Sequence, residues 1–438
     1  MLGSSRVFSI LKIIAVLVLF SWSLSYFGIT RAHYERVLRQ FKGERAHFVA
    51  DFLENDFDGP FDGKQIALLC ANRTWTEGLI FHCDPPAGGI AVVRNAHLNC
   101  IRMAIEAGAE LIVPEIVRRN AKDITQVTPD SKGKPRGIAS DYFYDHQHFN
   151  WSMSTFCPQM RLYWSVDELF DTPMGTPLSI SIGNLDMPQV EGSIIEKPGT
   201  FAIQFKKYLD SQSNPKTRTW PFKVEVAVTL DAWPTTYDAP AFVRNFGRVL
   251  RFRDDTRQLA AAAYFNMKKK KLTSPGFVGI HLRTEEDVWG TEFPPYDEQA
   301  DYYLNYVVQS KYSVVYLASG ATSENITAFT ERARDLNVTV VTKKGLLDPE
   351  DILYLEHLTW DQQALVDYEL ILRSNLMAGT CESFFAWSLA MRRAASIGSV
   401  GGHTVVPPSS TTRWQDTLSA IMGSDQGKNK NMQLAIWP

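Results

Sequence analysis

The chain of 438 residues lacks an excess of basic charge, since 45 Lys and Arg stand against 48 Asp and Glu and the net charge is −3. Nucleic acid is therefore not an expected partner, because nucleic-acid-binding proteins present a basic surface. The one lysine run, Lys268–Lys271, is short and indicates a solvated helix end. Cysteine is scarce as well. The five cysteines form neither C-x-x-C pairs nor the Cys/His spacing of a zinc site.

A small-residue cleavage site is also missing after the apolar segment Val7–Ile29, whose only charge is Lys12. The segment is long enough to span a bilayer, and the bulky Trp22, Tyr26 and Phe27 near its end suit a membrane interface. It therefore predicts a retained signal anchor. The following residues, 30–62, carry apolar side chains at three- and four-residue steps, which predicts a helical stem.

The side of the membrane is indicated by features after the anchor. Four glycosylation sequons occur, and such sites are used only in a lumenal or extracellular domain; they begin at Asn72, Asn150, Asn325 and Asn337. In an oxidising lumen the five cysteines predict one or two disulfides with one thiol left over, and their pairing stays open. We expect a single-pass type II protein of the Golgi or endoplasmic reticulum membrane, with the part of the chain after the anchor in the lumen.

Alternating strands and helices follow the stem. In the N-terminal part, the pattern of apolar residues predicts a buried strand Lys64–Cys70, a Gly/Pro loop Cys83–Gly89 and a helix Val93–Ala107. It then predicts a strand Glu110–Val113 and loops over residues 120–220. A strand Lys223–Leu230 and helices within Ala241–Lys271 follow. The C-terminal part predicts strands Phe277–His281, Val314–Ala318, Val338–Val341 and Leu376–Gly379, with helices Ser323–Leu336, Asp361–Ser374 and Ser383–Arg393.

This alternation predicts an α/β protein with two Rossmann-like domains that face each other across a cleft. We place the first, acceptor-side domain at residues 63–250 and the second at 251–405, with a tail, 406–438, that packs back on the first domain. Ligands of open parallel sheets bind beyond the carboxyl ends of the strands. The residues that follow each strand are therefore the candidates for function.

The strand Phe277–His281 is followed by the most unusual of these segments. A histidine, Arg283 and several carboxylates occur within twelve residues. Arginine at a strand end suits a phosphate, because its fixed fork makes paired charge-assisted hydrogen bonds. A nearby carboxylate can accept the proton of an attacking hydroxyl. An exposed charged loop is the ordinary alternative.

A second candidate is the turn Thr380–Phe384, which opens a helix. Free backbone N–H groups and the positive end of the helix dipole attract anions there. An ordinary N-cap formed by Thr380 or Ser383 is the alternative. Two anion-binding elements at neighbouring strand ends suggest a diphosphate.

Three segments resemble a known family. GIHLRTEEDVWGTE, at Gly279–Glu292, is similar to the His-x-Arg segment of the protein O-fucosyltransferases and the α1,6-fucosyltransferases. Asp367 precedes Ser383 by sixteen residues, which is the spacing of the α1,6 branch. The unit Gly88–Pro114 resembles the Gly-rich loop, helix and strand that open these enzymes. Of the usual Gly-Asn-Gln in that loop, only Asn95 remains.

The resemblance implies a GT-B fold, GDP-fucose as donor and no further cofactor. Arg283 would bind the β-phosphate, His281 and Asp367 the guanine side of the nucleotide, and Ser383 with Phe384 the phosphates through the helix start. Asn95 is a further implied nucleotide contact. Glu292 would be the general base that takes the proton of a glycan or protein hydroxyl, with inversion at the sugar carbon and no metal. Because the local alignment needs one inserted residue, Glu285, Glu286 and Asp287 are rivals for this role.

Other candidate sites are weaker. Asp56-Phe57-Asp58 has the Asp-x-Asp form of a metal site but lies in the stem, and Asp145–His148 reads as a polar loop. Trp289 is equally consistent with sugar stacking and packing. Three alternative functions remain open. They are a transferase for another nucleotide sugar, a non-catalytic lumenal protein that binds nucleotides or carbohydrates, and a structural membrane adaptor.

Overall fold

The computed structural model describes residues 16–19, 22, 43–121, 123–129, 137–190, 193–398, 411–423 and 432–438. The chain divides into two compact units, residues 1–54 and residues 55–438. In the first unit, residues 43–54 are helical, within the predicted stem. The predicted anchor Val7–Ile29 lies outside the described residues except at 16–19 and 22. Among the residues that are described, none of the helices has the length and apolar character needed to cross a membrane.

The N-terminal half of the second unit contains a five-stranded sheet in which all neighbouring strands are parallel. Its order is β3-β2-β1-β5-β4. The strands are β1 Leu79–Cys83, β2 Glu110–Ile112, β3 Leu162–Tyr163, β4 Leu178–Ile180 and β5 Phe222–Val226. Strands β2 and β5 confirm the predictions for Glu110–Val113 and Lys223–Leu230. Two short antiparallel pairs lie outside the sheet, Ile116–Val117 with Gly137–Ile138 and Gln189–Val190 with Ile194–Ile195.

The predicted strand Lys64–Cys70 is wrong, because these residues form helix α1, Lys64–Ala71. Ile66 and Cys70, one helical turn apart, are buried, whereas Leu68 between them is 56% exposed. A short apolar run has no period by which a buried strand can be told from a helix. The first strand is instead β1, whose end overlaps the segment that we predicted as a loop.

The remaining helices of the N-terminal half are α2 Ile90–Ala107, α3 His146–Phe156, α4 Phe201–Gln212 and α5 Pro240–Phe246. Helix α2 confirms the predicted helix Val93–Ala107 and ends at Gly108, whose φ of 64° is left-handed and favours glycine. Helices α3 and α4 lie where we predicted only loops. Their buried residues, such as Phe205 and Leu209 in α4, are four apart, but the surrounding polar residues hide this period.

The C-terminal half contains a six-stranded sheet of order β8-β7-β6-β9-β11-β10, parallel except for its last pair. The strands are β6 Val278–His281, β7 Val314–Ala318, β8 Thr339–Val341, β9 Leu376–Thr380, β10 Thr412–Gln415 and β11 Ser419–Met422. All four predicted strands of this half are confirmed. Strands β10 and β11, in the predicted tail, extend the sheet.

Eight further helices belong to this part of the chain: α6 Asp254–Lys269, α7 Tyr296–Gln309, α8 Ser323–Asp335, α9 Lys343–Leu346, α10 Pro349–His357, α11 Trp360–Leu372, α12 Phe384–Ser396 and α13 Met432–Ala435. Helices α8, α11 and α12 confirm predicted helices. Buried Val278, Ile280 and Val315 from the sheet pack with residues of α7 and α8 such as Tyr303 and Phe329. The predicted mixed α/β fold with parallel sheets is therefore confirmed.

Two disulfides crosslink the N-terminal half, Cys70–Cys157 and Cys83–Cys100. The first joins α1 to the end of α3, and the second joins β1 to α2. Cys381 is buried and lies outside these disulfides. The prediction of one or two disulfides with one remaining thiol is confirmed.

Candidate active site

A cleft of about 1150 Å³ lies between the two sheets. Residues after β6, β7, β8 and β9 line it from the C-terminal half. The N-terminal half contributes the mostly apolar segment 89–92 at the start of α2 and a loop that includes Arg119 and Ile124. Because the carboxyl ends of the parallel strands meet here, the cleft occupies the edge of the sheet where ligands of such folds bind.

His281, the last residue of β6, lies in this cleft beside the start of α12. Its Nδ1 is 3.3 Å from Ser383 Oγ, and the centroid of its ring lies 4.4 Å from that of Phe385, with the two rings tilted by 32°. Burial, together with the charge of Arg283, lowers the pKa of His281 to about 3. The imidazole is therefore neutral at physiological pH, so that one of its ring nitrogens can donate a hydrogen bond and the other can accept one.

Arg283 is held between two carboxylates of its own loop. Its Nη1 lies 2.5 Å from Glu285 Oε2, and its Nη2 lies 2.5 Å from Asp287 Oδ2. Burial opposes the charged form, but Glu285 and Asp287 outweigh it and raise the pKa of Arg283. Only two of the five guanidinium N–H groups are used in these two contacts. The arginine thus remains charged, oriented and able to donate to a ligand.

The four carboxylates of this loop fall into two groups. Glu285 also accepts from the Gly320 backbone N–H at 2.7 Å, and Asp287 is almost fully buried beside Arg283. Glu286 and Glu292, by contrast, are exposed and line the cleft. Neither of their carboxylates makes an ion pair or hydrogen bond with the described residues. Their oxygens are thus the ones accessible to a proton from a ligand.

The loop between β6 and α7 is braced by a buried amide. Gln299 accepts from the Arg283 backbone N–H at 3.0 Å and donates to the carbonyls of Arg283 and Pro294 at 2.6 and 2.7 Å. Gly290, with φ 71°, turns the chain two residues before Glu292. Sequence reasoning missed Gln299, because a glutamine inside an amphipathic helix carries no signal of its own.

Helix α12 begins at the cleft. Ser383 is its N-cap and accepts from Ala386 N–H at 3.3 Å, while Phe384 is the first helical residue. The N-cap alternative is therefore correct for Ser383. It does not oppose the anion-binding hypothesis, because an N-cap satisfies only one of the four free N–H groups of a helix start.

Asp367, on α11, also lines the cleft, but both of its oxygens already have partners. Tyr316 of β7 donates to Oδ1 at 2.6 Å, and Lys343 Nζ lies 2.5 Å from Oδ2. Sequence reasoning missed Lys343 and Tyr316. Lys343 follows β8 almost directly, so the rule that singled out Arg283 would have found it.

Asn95 does not lie with the other predicted residues. It is buried in α2, where its Nδ2 donates to the carbonyls of Leu230 and Ala435 and its Oδ1 accepts from Trp437 N–H at 2.9 Å. Its neighbour Arg94 donates to the carbonyls of Gly247, Trp437 and Pro438. In this structure both side chains fasten the end of the chain to α2.

A second buried network joins the halves at the bottom of the cleft. Arg119 Nη2 lies 3.0 Å from Asp361 Oδ2 at the start of α11, and Tyr142 donates to Asp361 Oδ1 at 2.8 Å. The Arg119 guanidinium lies 5.6 Å from the rings of Phe143 and Trp360. This network holds α11, which carries Asp367, against the N-terminal half.

The weaker candidates have structural roles. Asp56 bonds to Arg248 and Arg392 at 3.2 and 2.9 Å; burial raises its pKa, but these arginines hold it well below the usual range. Asp145 caps α3 rather than lying in a loop, and His148 bonds to the Arg248 carbonyl. Trp289 is 64% exposed and donates to the Thr284 carbonyl. Among the described residues, no three His, Cys, Asp or Glu side chains are grouped to hold a metal ion.

Several solved structures are similar to this chain, at low identity. POFUT1 in complex with GDP-fucose is 13% identical, with a TM-score of 0.44 over 80% of this chain and 99% of that one. An arginine-to-lysine mutant of Arabidopsis thaliana FUT1 in complex with GDP is 9% identical, with a TM-score of 0.40; the match covers 75% of this chain and 71% of that one. The fucosyltransferase NodZ from Bradyrhizobium is 12% identical, with a TM-score of 0.38; the match covers 72% of this chain and 92% of that one.

A search of curated proteins found no match. The model of one protein family, described as GDP-fucose protein O-fucosyltransferase, matches residues 79–396. The match spans the first sheet, strands β6 to β9 of the second sheet and the residues that line the cleft. This match covers well over half of the chain and includes the His281–Arg283 segment, Asp367 and Ser383. The chain is therefore a member of the GDP-fucose protein O-fucosyltransferase family.

Proposed function

We propose that this protein transfers fucose from GDP-fucose to a hydroxyl group of a glycan or protein, with inversion at the sugar carbon and without a metal ion. The observation that carries the proposal is the convergence of four polar residues on one cleft in a chain of this family. His281, Arg283, Asp367 and Ser383 come from three separate strands or helices, yet all line the carboxyl edge of one parallel sheet.

The nucleotide diphosphate binds between Arg283 and the start of α12. Arg283 keeps N–H donors beyond those given to Glu285 and Asp287, and the α12 N-terminus adds backbone donors and a favourable dipole. As the bond between the sugar carbon and the diphosphate oxygen breaks, negative charge grows on the leaving GDP. Donors that are already oriented stabilise this charge more strongly than water does, because they need no reorganisation.

Glu292 is the proposed general base. The acceptor hydroxyl oxygen forms a bond to the sugar carbon, GDP departs from the opposite face, and the hydroxyl proton passes to the Glu292 carboxylate. The occupied state of Glu285 and Asp287 favours Glu292 over these two rivals. Glu286 remains a rival, because it is also exposed and lines the same cleft.

The acceptor enters from the N-terminal half. Residues 89–92 and Ile124 form an apolar wall opposite the charged β6–α7 loop, and such a wall suits the backbone or apolar face of an acceptor.

We also propose that the catalytic part lies in the lumen of the Golgi or endoplasmic reticulum, held by a signal anchor at Val7–Ile29. Two disulfides support an oxidising compartment. Three sequon asparagines, Asn72, Asn150 and Asn337, are exposed. Endoglycosidase treatment of the expressed protein should increase its gel mobility. Unchanged mobility, with digestion of the C-terminal part by protease outside sealed microsomes, would refute this topology.

The decisive experiment for the activity uses the full-length protein in detergent. Labelled GDP-fucose is offered with a panel of glycans and peptides, in buffer with and without EDTA, and the configuration of the product is determined. We expect transfer with inverted configuration and equal rates with and without EDTA. Reversible loss of turnover in EDTA would contradict the metal-free mechanism.

Nucleotide binding to the same full-length protein distinguishes two alternative functions. A panel of nucleotides in a thermal-shift assay should show the largest stabilisation with GDP, since a ligand that binds only the folded state raises its stability. Stabilisation by a different nucleotide would indicate another nucleotide sugar as donor. Stabilisation by GDP without transfer to any acceptor would favour a non-catalytic binding protein.

A further inference from the structure

We propose that Lys343 is a specificity-determining residue for the nucleotide base and contacts the O6 oxygen of guanine. This inference rests on the proposed use of a GDP-sugar. Its starting point is Lys343 itself, which lies in the cleft and is paired with Asp367. Neither the proposed diphosphate site nor the proposed general base Glu292 accounts for this lysine.

Lys343 is placed by the fold at the edge where ligands bind. It follows β8 after a single residue, Thr342, and begins the short helix α9. Strand β8 is the edge strand of the sheet, next to β7, which carries Tyr316. Both Lys343 and Asp367 line the cleft. The base site is therefore enclosed by the ends of β7 and β8 and by one face of α11.

The ammonium group and the carboxylate are held side by side. Lys343 Nζ lies 2.5 Å from Asp367 Oδ2, and the side chains are 14% and 8% exposed. Tyr316, which is fully buried, donates to the other carboxylate oxygen and fixes its orientation. An ammonium has three N–H donors, of which this ion pair uses one, and a carboxylate has several acceptor sites left.

This pair offers a donor next to an acceptor, and guanine has the complementary edge. Its O6 is an acceptor, whereas its N1 and N2 carry hydrogens. With Asp367 accepting from N1 and N2, the neighbouring Lys343 is placed to donate to O6. Adenine has a donor at the position of O6 and an acceptor at N1, so it meets both charged groups with the wrong polarity. A site that hydrogen-bonds its ligand in this way rejects such analogues strongly.

The test separates a contact to O6 from mere support of Asp367. It measures the binding of GDP and of 6-thio-GDP, in which sulfur, a weaker acceptor, replaces O6 while N1 and N2 are unchanged. The wild type should bind 6-thio-GDP about 3- to 10-fold more weakly than GDP. Lys343→Met should weaken GDP binding about 10- to 100-fold and bind the two nucleotides equally.

Two further variants keep the test interpretable. Lys343→Gln keeps one donor and should show intermediate affinity, which covers the case in which Lys343→Met folds poorly. Lys206→Met is the control, since Lys206 of α4 is exposed, lies outside the cleft and makes no ion pair with the described residues. It should bind both nucleotides within about twofold of the wild type.

The outcomes also distinguish this inference from the proposed function. A Lys343→Met protein that still binds GDP more tightly than 6-thio-GDP, by the wild-type ratio, would show that Lys343 only supports Asp367. That result overturns the contact to O6 and leaves the proposed function intact. A wild type that binds neither guanine nucleotide overturns both.

Discussion

The two halves of the second unit share a parallel-sheet plan but differ in what holds them together. The N-terminal half contains both disulfides and two buried histidines, His97 and His148. The described residues of the C-terminal half form no disulfide, and most of the charged residues that line the cleft belong to this half. The difference indicates a division of labour, in which one half supplies a rigid wall and the other supplies the chemistry. Substitutions in the first should therefore change stability, and substitutions in the second should change binding or turnover.

The largest expected effect is on turnover, in the C-terminal half. Glu292→Gln keeps the shape of the side chain but removes the proton acceptor, so turnover should fall by about 10² to 10⁴, the usual factor for a general base. GDP binding should be unchanged. Single-turnover kinetics with GDP-fucose measure the effect.

Glu286→Gln is the matched control, because Glu286 is a second exposed glutamate of the same loop. It should retain most of the wild-type rate. The opposite pattern, with full activity in Glu292→Gln and none in Glu286→Gln, would reassign the base and leave the reaction class in place.

The next effect is on stability, in the N-terminal half. Removing the Cys70–Cys157 disulfide by Cys→Ala substitution at both positions should lower the free energy of unfolding by about 2 to 5 kcal/mol. Its partners are 87 residues apart, against 17 for Cys83–Cys100. Because a longer closed loop restricts the unfolded chain more, the second pair should cost about 1.5 kcal/mol less.

Chemical denaturation of both double variants checks this prediction, with GDP affinity as the control. GDP should bind both variants as it binds the wild type, provided that they are folded at the temperature used. If loss of either disulfide weakened GDP binding by tenfold or more, the proposed division between the halves would be incorrect.

The third effect is on donor binding. Arg283→Ala should weaken GDP binding by about 1.5 to 3 kcal/mol, the worth of a hydrogen bond between charged groups. Titration calorimetry measures the affinity, and a thermal melt without ligand verifies folding. Arg283→Lys is informative beside it, since lysine keeps the charge but loses the planar fork. If Arg283→Ala bound GDP with wild-type affinity, the assignment of the diphosphate to this site would be wrong.

The last effect is the response of the N-terminal half to acid. Burial lowers the pKa of both His97 and His148 to about 4, against about 6.5 in an unfolded chain. Between these two values the unfolded state binds protons that the folded state does not. Stability is therefore complete above about pH 6.5 and falls as the pH drops toward 4, by at most about 1.4 kcal/mol per unit for each histidine.

Denaturation curves at several pH values test this response. His148→Gln should make the loss of stability with acid less steep, whereas His357→Gln, at an exposed position, should leave it unchanged. Equal slopes in the wild type and His148→Gln would show that other groups control the acid response.

Local pattern was sufficient for much of the C-terminal half. The strands there are continuous apolar runs separated by helices with clear periods, so their positions follow from the sequence. The failure at Lys64–Cys70 has a physical cause, because a run of five apolar residues is compatible with a buried strand and with a packed helix equally well. Helix α1 is selected by tertiary contacts, including the disulfide from Cys70 to Cys157.

For the site, the sequence by itself determined the family and the chemistry of the strand ends, because His281, Arg283 and the carboxylates after them form one contiguous segment that any parallel sheet would place at its edge. The tertiary structure decided what those groups are paired with. In the folded chain, Lys343 and Tyr316 contact the Asp367 carboxylate. Glu285 and Asp287 form ion pairs with Arg283. Asn95 bonds to Trp437 near the end of the chain and does not line the cleft. These pairings join residues up to hundreds of positions apart, and the spacing of residues along a chain carries no information about such contacts.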